Sequence, residues 1–293
     1  MSKIALIANM TSRSSAGWAS SEQLVRARKN ITIYTLGELP LDTIIKRASE
    51  QGCQTIVAAG GDGTISSVVD ALVRLHIPAR LGILPIGTYN HFAKDLHIPL
   101  DIAEALDVIE NGKTIQVDVA QVNDRYFINN SSIGLYPYMV QTRLALKRRG
   151  ISTWVIFLYM FLALCRRQFT FVVSFGRGDN VVLRKTSSIY IGNNKYTYGG
   201  FDIGTRARLD EGTLFVGLLK SMHGLEFPRL LYRAFRGIVL QDNDVNVIGL
   251  QECTIDSTKK RILVAYDGEV TLMTPPLHYR IVLKALDVIV PII

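Results

Sequence analysis

The sequence predicts a three-layer α/β domain followed by a β-rich, β-sandwich-like domain. Two observations lead there. In the first third of the chain, short apolar runs alternate with stretches of helical period, the pattern of a mainly parallel sheet with helices on both faces. From near residue 114 apolar and polar residues alternate one for one, and most later runs are strand-like, which reads as antiparallel pairing.

Each element has its own warrant. Lys3 to Ala8 is continuously apolar, as a strand covered on both faces must be. The start resembles a secretory leader only superficially, because its apolar run is short and no small-residue cleavage site follows. Trp18 to Lys29 reads as a helix and Ile31 to Thr35 as a β-branched strand. Leu41 to Gln51 sets Leu41, Ile44, Ile45 and Ala48 on one helical face. Thr55 to Ala59 and Leu81 to Pro85 are strands, and between them Ile65 to Leu75 turns Val68, Val69, Leu72 and Val73 inward.

In the second part, Ile115, Val117 and Val119 alternate with polar residues, and Arg125 to Asn130 follows as a strand. Helical stretches span Tyr136 to Arg149 and Trp154 to Leu164. Strand-like runs come next: Gln168 to Phe175, Val181 to Ile191, Thr213 to Leu219, Glu252 to Ser257, Arg261 to Tyr266 and Tyr279 to Leu283. The division is placed by this change of period, with residues 1–123 in the first domain and 124–283 in the second.

The chain has 293 residues, which suits two domains of ordinary size. At 48% hydrophobic and 20% charged it is excluded from the disordered class. The charge balance is 33 − 25, or +8, which fits an anionic partner such as phosphate esters, nucleic acid or an acidic membrane surface. No nucleic-acid motif accompanies the charge. Cys53, Cys165 and Cys253 have neither metal-ligand spacing nor a disulfide framework, and read as reduced core cysteines of a cytoplasmic protein. His76, His97, His223 and His278 form no metal-like cluster.

The most apolar run, Trp154 to Cys165, is shorter than the roughly twenty residues that cross a bilayer. Lys147, Arg148 and Arg149 precede it, and Arg166 and Arg167 follow. It reads either as a buried core helix or as a helix facing a membrane surface. Arg143 lies near the first basic group, and Arg229, Arg233 and Arg236 recur at helical spacing.

Ala58-Ala59-Gly60-Gly61-Asp62-Gly63-Thr64-Ile65 is the most informative segment. A buried strand runs into three glycines and then a helix. The glycines let backbone amides approach a ligand, and the helix start adds unpaired N–H groups and a positive dipole end, which suits a phosphate. The loop is neither a Walker A loop nor a G-x-G-x-x-G loop, and a carboxylate at Asp62 calls for a metal or hydroxyl partner. Leu84-Pro85-Ile86-Gly87-Thr88-Tyr89-Asn90-His91 is a second strand-to-helix loop. In a parallel sheet such loops converge at the carboxyl ends of neighbouring strands.

With both loops in view, the sequence resembles the diacylglycerol kinase catalytic-domain family, most closely its bacterial soluble lipid kinases. Sphingosine kinases, and more distantly NAD kinases, share the Gly-Gly-Asp-Gly loop. The resemblance implies that Gly60, Gly61, Asp62, Gly63, Thr64, Ser66 and Ser67 cradle ATP phosphates, with Thr35, Gly87, Thr88 and Asn90 adding contacts. Asp62 would help to hold Mg²⁺. Asn9-Met10-Thr11 matches the family's Asn-Pro nucleotide loop only loosely.

Tyr266-Asp267-Gly268-Glu269 reads by itself as a hairpin turn, which accounts for Asp267 and Gly268 but not for Glu269. In the resembled family the glutamate of an Asp-Gly-Glu turn is the general base. Ala207 to Leu214 matches a motif associated with a structural Mg²⁺, held here by Glu211 in place of the usual aspartate and by the backbone carbonyls of Arg208 and Thr213. Gly192-Asn193-Asn194 and Gly199-Gly200-Phe201 resemble the loop before it. Ser66-Ser67 stand where the family has Asn-Glu, and His91 stands where it has Asp.

The resemblance implies an ATP- and Mg²⁺-dependent lipid kinase, cytoplasmic and peripheral to the membrane, acting in the cleft between its domains. The first domain would bind nucleotide, the second would take the lipid, and a tail from about residue 284 to 293 would return to the first. Two alternatives stay open: a soluble-metabolite kinase resembling NAD kinase, and a catalytically degenerate nucleotide- or lipid-binding relative. The acceptor is open among diacylglycerol, monoacylglycerol, phosphatidylglycerol, sphingoid bases and polyprenols.

Overall fold

The computed structural model describes residues 3–9, 15–152, 154–156, 159, 171–175, 182–186, 188–196, 198–199, 202–203, 205–219 and 245–292. Met10, Thr11, Cys165, Arg166, Arg167, Gly200, Phe201, His223, Arg229, Arg233 and Arg236, to which the sequence drew attention, lie outside the described residues. The chain forms two compact units. Met1–Asn129, Thr205–Gly212 and Val282–Ile293 make the first; Asn130–Gly204 and Thr213–Ile281 make the second.

The first unit alternates as its apolar pattern demands. Strands β1 (Ile4–Ala8), β2 (Ile31–Thr35), β3 (Thr55–Gly60) and β4 (Arg80–Pro85) are separated by helices α1 (Ser15–Arg26), α2 (Leu41–Glu50) and α3 (Asp62–Arg74). Helices α4 (His91–Asp95) and α5 (Ile102–Asn111) and strands β5 (Lys113–Val122) and β6 (Arg125–Phe127) follow. Asp101 starts α5 by accepting the amides of Ala103 and Glu104 at 2.9 and 3.1 Å, a side-chain cap for otherwise orphaned donors.

The four strands pair in parallel in the order β2-β1-β3-β4. All of β1 and β3 is buried, which explains their unbroken apolar runs. Helices α2 and α3 pack together, as do α1 and α5, so the sheet is the middle of three layers. Of the α2 face, Ile44, Ile45 and Ala48 are fully buried and Leu41 partly; on α3, Val68, Val69 and Leu72 are buried and Val73 partly. The last strand of the chain joins β4 in parallel, Val288 opposite Leu81.

The second unit is antiparallel. Its first elements are β7 (Asn130–Gly134), α6 (Leu135–Arg148), β8 (Phe171–Phe175), β9 (Val182–Thr186) and β10 (Ser188–Asn193). Then come β11 (Tyr198–Gly199), β12 (Asp202–Ile203), β13 (Leu214–Leu219), β14 (Val245–Leu250) and β15 (Glu252–Asp256). Strands β16 (Ile262–Tyr266) and β17 (Glu269–Met273) complete a six-stranded sheet in the order β14-β13-β10-β7-β16-β17. Strand β18 (Leu277–Val290) pairs through its first residues with β15, which pairs with β8 and β8 with β9.

Three local differences from the sequence reading have physical reasons. The run expected from Val181 to Ile191 is two strands, β9 and β10, which pair with different partners. The strand expected from Arg125 to Asn130 is likewise divided between β6, which pairs with β5, and β7, which pairs with β10 and β16. The helix expected to start near Ile65 begins at Asp62, because glycine at position 63 is tolerated in a first turn whose amides need no intrahelical partner.

Candidate functional site

The register of the parallel sheet aligns the carboxyl ends of its strands. Thr35 stands opposite Ala8, Ala8 opposite Ala59, and Gly60 opposite Pro85. Thr35, Asn9 and the two glycine loops therefore share one edge of the sheet, where ligands of open α/β sheets bind.

At Gly60 the strand ends. A Cβ there would lie 2.5 Å from Thr64 Oγ1, so no side chain fits. Gly61 caps α3, and its carbonyl accepts the amides of Thr64 and Ile65 at 2.9 and 3.1 Å. Thr64 is buried, and its hydroxyl accepts from Asn9 Nδ2 at 3.3 Å. Ser66 is buried, while Ser67 is half-buried and donates back to the Gly63 carbonyl at 2.8 Å. Gly63 differs from the other two glycines: a Cβ on it would meet no heavy atom within 4 Å. The start of α3 thus borders open space on the side-chain face of Gly63, at a positive helix end.

The second loop packs on the first. Gly87 lies against Gly61 so closely that a Cβ on Gly87 would overlap the Gly61 Cα. Asn90 is buried with φ 50°, a left-handed conformation that asparagine tolerates better than most residues. Its Oδ1 accepts from Gly87 N at 3.0 Å, and its Nδ2 donates to Gly87 O at 2.9 Å and to Pro85 O at 3.2 Å. Asn90 therefore shapes the loop with bonds that stay within the loop. Thr88 is exposed, and so is Tyr89, whose ring stacks on His91 at 5.6 Å.

Asp62 links the two loops. Its Oδ1 accepts the Phe92 amide at 3.3 Å and so caps α4, the helix that the second loop enters. The carboxylate is half-buried.

Arg206, which the sequence reading passed over, is buried in the first unit. Its guanidinium pairs with Asp95, the last residue of α4, at 2.7 Å. It also donates to Ile128 O at 2.5 Å and Asn129 Oδ1 at 2.8 Å, and lies 5.9 Å from the Phe92 ring centre. Asp118 is equally hidden: its carboxylate accepts Gly212 N at 2.7 Å and Lys284 N at 2.8 Å. Arg206 and Asp118 tie Thr205–Gly212 to the body of the first unit.

The residues read as a structural metal site are divided between the units, Arg208 and Glu211 in the first and Thr213 in the second. Glu211 is exposed. Arg208 pairs with Asp210 at 2.9 Å, and this guanidinium holds the Asp210 carboxyl below its usual range. The Thr213 carbonyl accepts Asn194 N at 2.9 Å. Among the described residues no group of three or more His, Cys, Asp or Glu side chains is placed to hold a metal ion.

In the second unit, Asp267 and Gly268 form the two-residue turn between β16 and β17, with φ 46° and 87°, the values of a hairpin turn with both central residues left-handed. The turn is pinned to the start of β7: Asp267 N donates to Asn130 O at 2.9 Å, and Asn130 N donates to Asp267 Oδ1 at 3.1 Å. Next to it, Ser131 donates to Ala265 O at 2.8 Å and shares a 3.0 Å hydrogen bond with Tyr279, fully buried between strands. Glu269 is the first residue of β17, opposite Tyr266 and exposed. A groove of about 660 Å³ runs beside this turn, between Gly268 and Val270 on one wall and Val140, Leu144 and Arg148 of α6 on the other.

Comparison with known proteins bears on this arrangement. Residues 3–122 match the model of the diacylglycerol kinase catalytic domain, and residues 168–290 match that of the YegS C-terminal NAD kinase beta sandwich-like domain. The chain belongs to the diacylglycerol kinase catalytic-domain family. A diacylglycerol kinase of Staphylococcus carnosus is 40% identical over 89 residues, and one of Staphylococcus aureus 41% over 99 residues. These stretches cover 30% and 34% of this chain but only 29% and 31% of the relatives' own lengths. The fold is that of a diacylglycerol kinase of Bacillus anthracis, with a TM-score of 0.67 at 20% identity over 98% of this chain and 96% of that one. A second solved chain from the same organism gives 0.72 at 21% identity over 98% and 95%. The α/β domain followed by a β-rich domain is thus the architecture of the family.

Proposed function

We propose that the chain is an ATP- and Mg²⁺-dependent lipid kinase, which moves the γ-phosphate of ATP to a hydroxyl of a diacylglycerol-like lipid. One observation carries this reading: three glycines at the carboxyl edge of a parallel sheet lead into the start of α3 and leave open space beside Gly63, in a chain of the diacylglycerol kinase catalytic-domain family. Open helix-start amides favour phosphate oxygens.

In this reading Gly61 and Gly63 present amides to the phosphates, and Thr35 and Thr88 offer hydroxyls from the same sheet edge. Asp62 keeps one carboxylate oxygen on the Phe92 amide, and the other suits a hard cation. A divalent ion there would neutralise charge on the phosphate oxygens. Glu269 takes the proton from the lipid hydroxyl. The hydroxyl oxygen bonds to the γ-phosphorus as the bond from that phosphorus to the bridging oxygen breaks, and ADP leaves. A positioned base contributes about 10²–10⁴-fold, and alignment and charge stabilisation supply most of the rest. The rigid pinning of the turn at Asn130 suits a base that must be aimed. The protein would work in the cytoplasm, peripheral to the membrane that holds its acceptor.

The test is transfer of labelled γ-phosphate to a whole membrane lipid extract, with NAD as a parallel acceptor. A labelled lipid is the expected product. Labelled NAD, or ATP binding without transfer to anything, overturns the reading.

A further inference from the structure

We infer that Arg206 is a positioning residue for the transfer: through α4 it couples the phosphate loops to the places where the chain passes into its second unit. The inference rests on the reading of those loops as the nucleotide site.

The first observation is where the chain crosses. It passes between its units after Asn129, before Thr205, after Gly212 and before Val282. Two buried side chains hold the first-unit side of all four passages. Arg206 stands beside the second passage and donates to Ile128 O and Asn129 Oδ1 at the first. Asp118 accepts from Gly212 N at the third and from Lys284 N just past the fourth.

The second observation is that Arg206 also reaches the loops. Its guanidinium lies 2.7 Å from the carboxylate of Asp95, the last residue of α4, and its backbone amide donates to the same carboxylate at 3.2 Å. The other end of α4 is held by Asp62 of the first glycine loop, whose Oδ1 accepts the Phe92 amide at 3.3 Å. Phe92 is fully buried, with the guanidinium over its ring. A helix of five residues is only about 7.5 Å long. Packed on the core, so short a piece does not compress, and a shift at Asp62 arrives at Asp95 nearly whole.

The third observation is energetic. A buried ion pair contributes little stability beyond that of an apolar pair of the same volume. Arg206 has no exposed side-chain surface and Asp95 has 6%, so both are stripped of water. What the pair supplies and an apolar pair would not is direction, because the planar guanidinium fork fixes Asp95, Ile128 and Asn129 in one geometry. Phosphate and cation arriving at Asp62 re-aim the carboxylate that caps α4, and the fork passes that shift to Asn129.

The experiment follows hydrogen–deuterium exchange of the full chain with and without ATP and Mg²⁺, beside turnover on a lipid acceptor at saturating ATP. In the parent, nucleotide should slow exchange at residues 92–96 and also at 127–130. Arg206→Lys keeps a charge beside Asp95 but not the fork. Arg206→Met with Asp95→Leu removes the pair and leaves neither charge buried alone. In both, exchange at 92–96 should still slow while exchange at 127–130 does not, and ATP should bind as in the parent. Turnover should fall by about 5- to 150-fold, the usual range of coupling between sites. The double variant, whose stability should largely return, separates positioning from mere folding. Asp118→Asn weakens the other clamp, so it should melt earlier yet keep the response at 127–130.

A parent in which ATP leaves 127–130 unchanged overturns the inference. So does a double variant that folds and turns over like the parent, or an Asp118→Asn chain that loses the response as Arg206→Lys does. If no acceptor is phosphorylated while the exchange results stand, the kinase reading fails and the coupling survives.

Discussion

Gly61 and Gly87 meet backbone to backbone, with the ideal Cβ position of Gly61 only 3.2 Å from the Gly87 Cα. The contact joins the two strand-to-helix loops directly, and the relationship is not symmetric with Gly63, whose side-chain position is open. Gly87→Ala should therefore force the loops apart, costing about 1–3 kcal/mol of stability as overpacking does, and should weaken nucleotide binding as well. Gly63→Ala should leave the melting temperature unchanged or slightly higher and still lower nucleotide affinity, because the methyl occupies the space left for phosphate. Thermal melts beside nucleotide titrations separate the two effects.

Asn90 should respond to substitution in an order set by its backbone. Its φ of 50° penalises alanine but not glycine, and both changes remove the same three side-chain hydrogen bonds. Asn90→Ala should be less stable than Asn90→Gly by about 1–2 kcal/mol. Chemical denaturation of the two variants measures the difference, and equal stabilities would contradict the account of the loop.

Arg206 and Asp95 form a buried pair in which neither side chain has more than 6% exposure. Arg206→Met leaves the Asp95 charge buried without its partner, a change that typically costs about 3–5 kcal/mol. Pairing it with Asp95→Leu should recover much of the loss. Urea denaturation of the single and double variants reads this directly.

The fold was legible because its two halves use different periods. The buried strands β1 and β3 are unbroken apolar runs, and the helices between them carry one apolar face each. The glycine loops were legible for a related reason, since Gly60 and Gly87 have no room for a side chain. What was not legible is long-range and polar. Arg206 lies 111 positions from Asp95, and an arginine in a chain of this composition reads as a surface residue until its partner is placed. Asp118 likewise looked like one polar residue in an alternating strand, and only the fold shows its two backbone donors at Gly212 and Lys284. Asn90 drew attention as a ligand contact, yet its side chain is bound within its own loop, a distinction that local sequence does not carry.

A pH effect follows from α2 and α3. Arg74 holds Asp42 through two hydrogen bonds, at 2.8 and 3.0 Å, and keeps its carboxyl below the usual range. A carboxyl depressed in the folded state contributes stability above its unfolded pKa, about 3.9, and loses it as pH falls through the folded value. Asp42 is 43% exposed, so the contribution is small, below about 1 kcal/mol. Asp42→Asn should be slightly less stable than the parent at neutral pH, and the two should converge as acid protonates the carboxyl. Parallel melts across pH test this.

The most direct test of the account is the turnover of Glu269→Gln with a lipid acceptor, beside its affinity for ATP. Glu269 is exposed at the head of β17, on a turn held by Asn130, so the amide should leave the fold and nucleotide binding as they are. Turnover should fall by about 10²-fold or more, as loss of a positioned base requires. A variant that folds, binds ATP and phosphorylates lipid at the parent rate would contradict it.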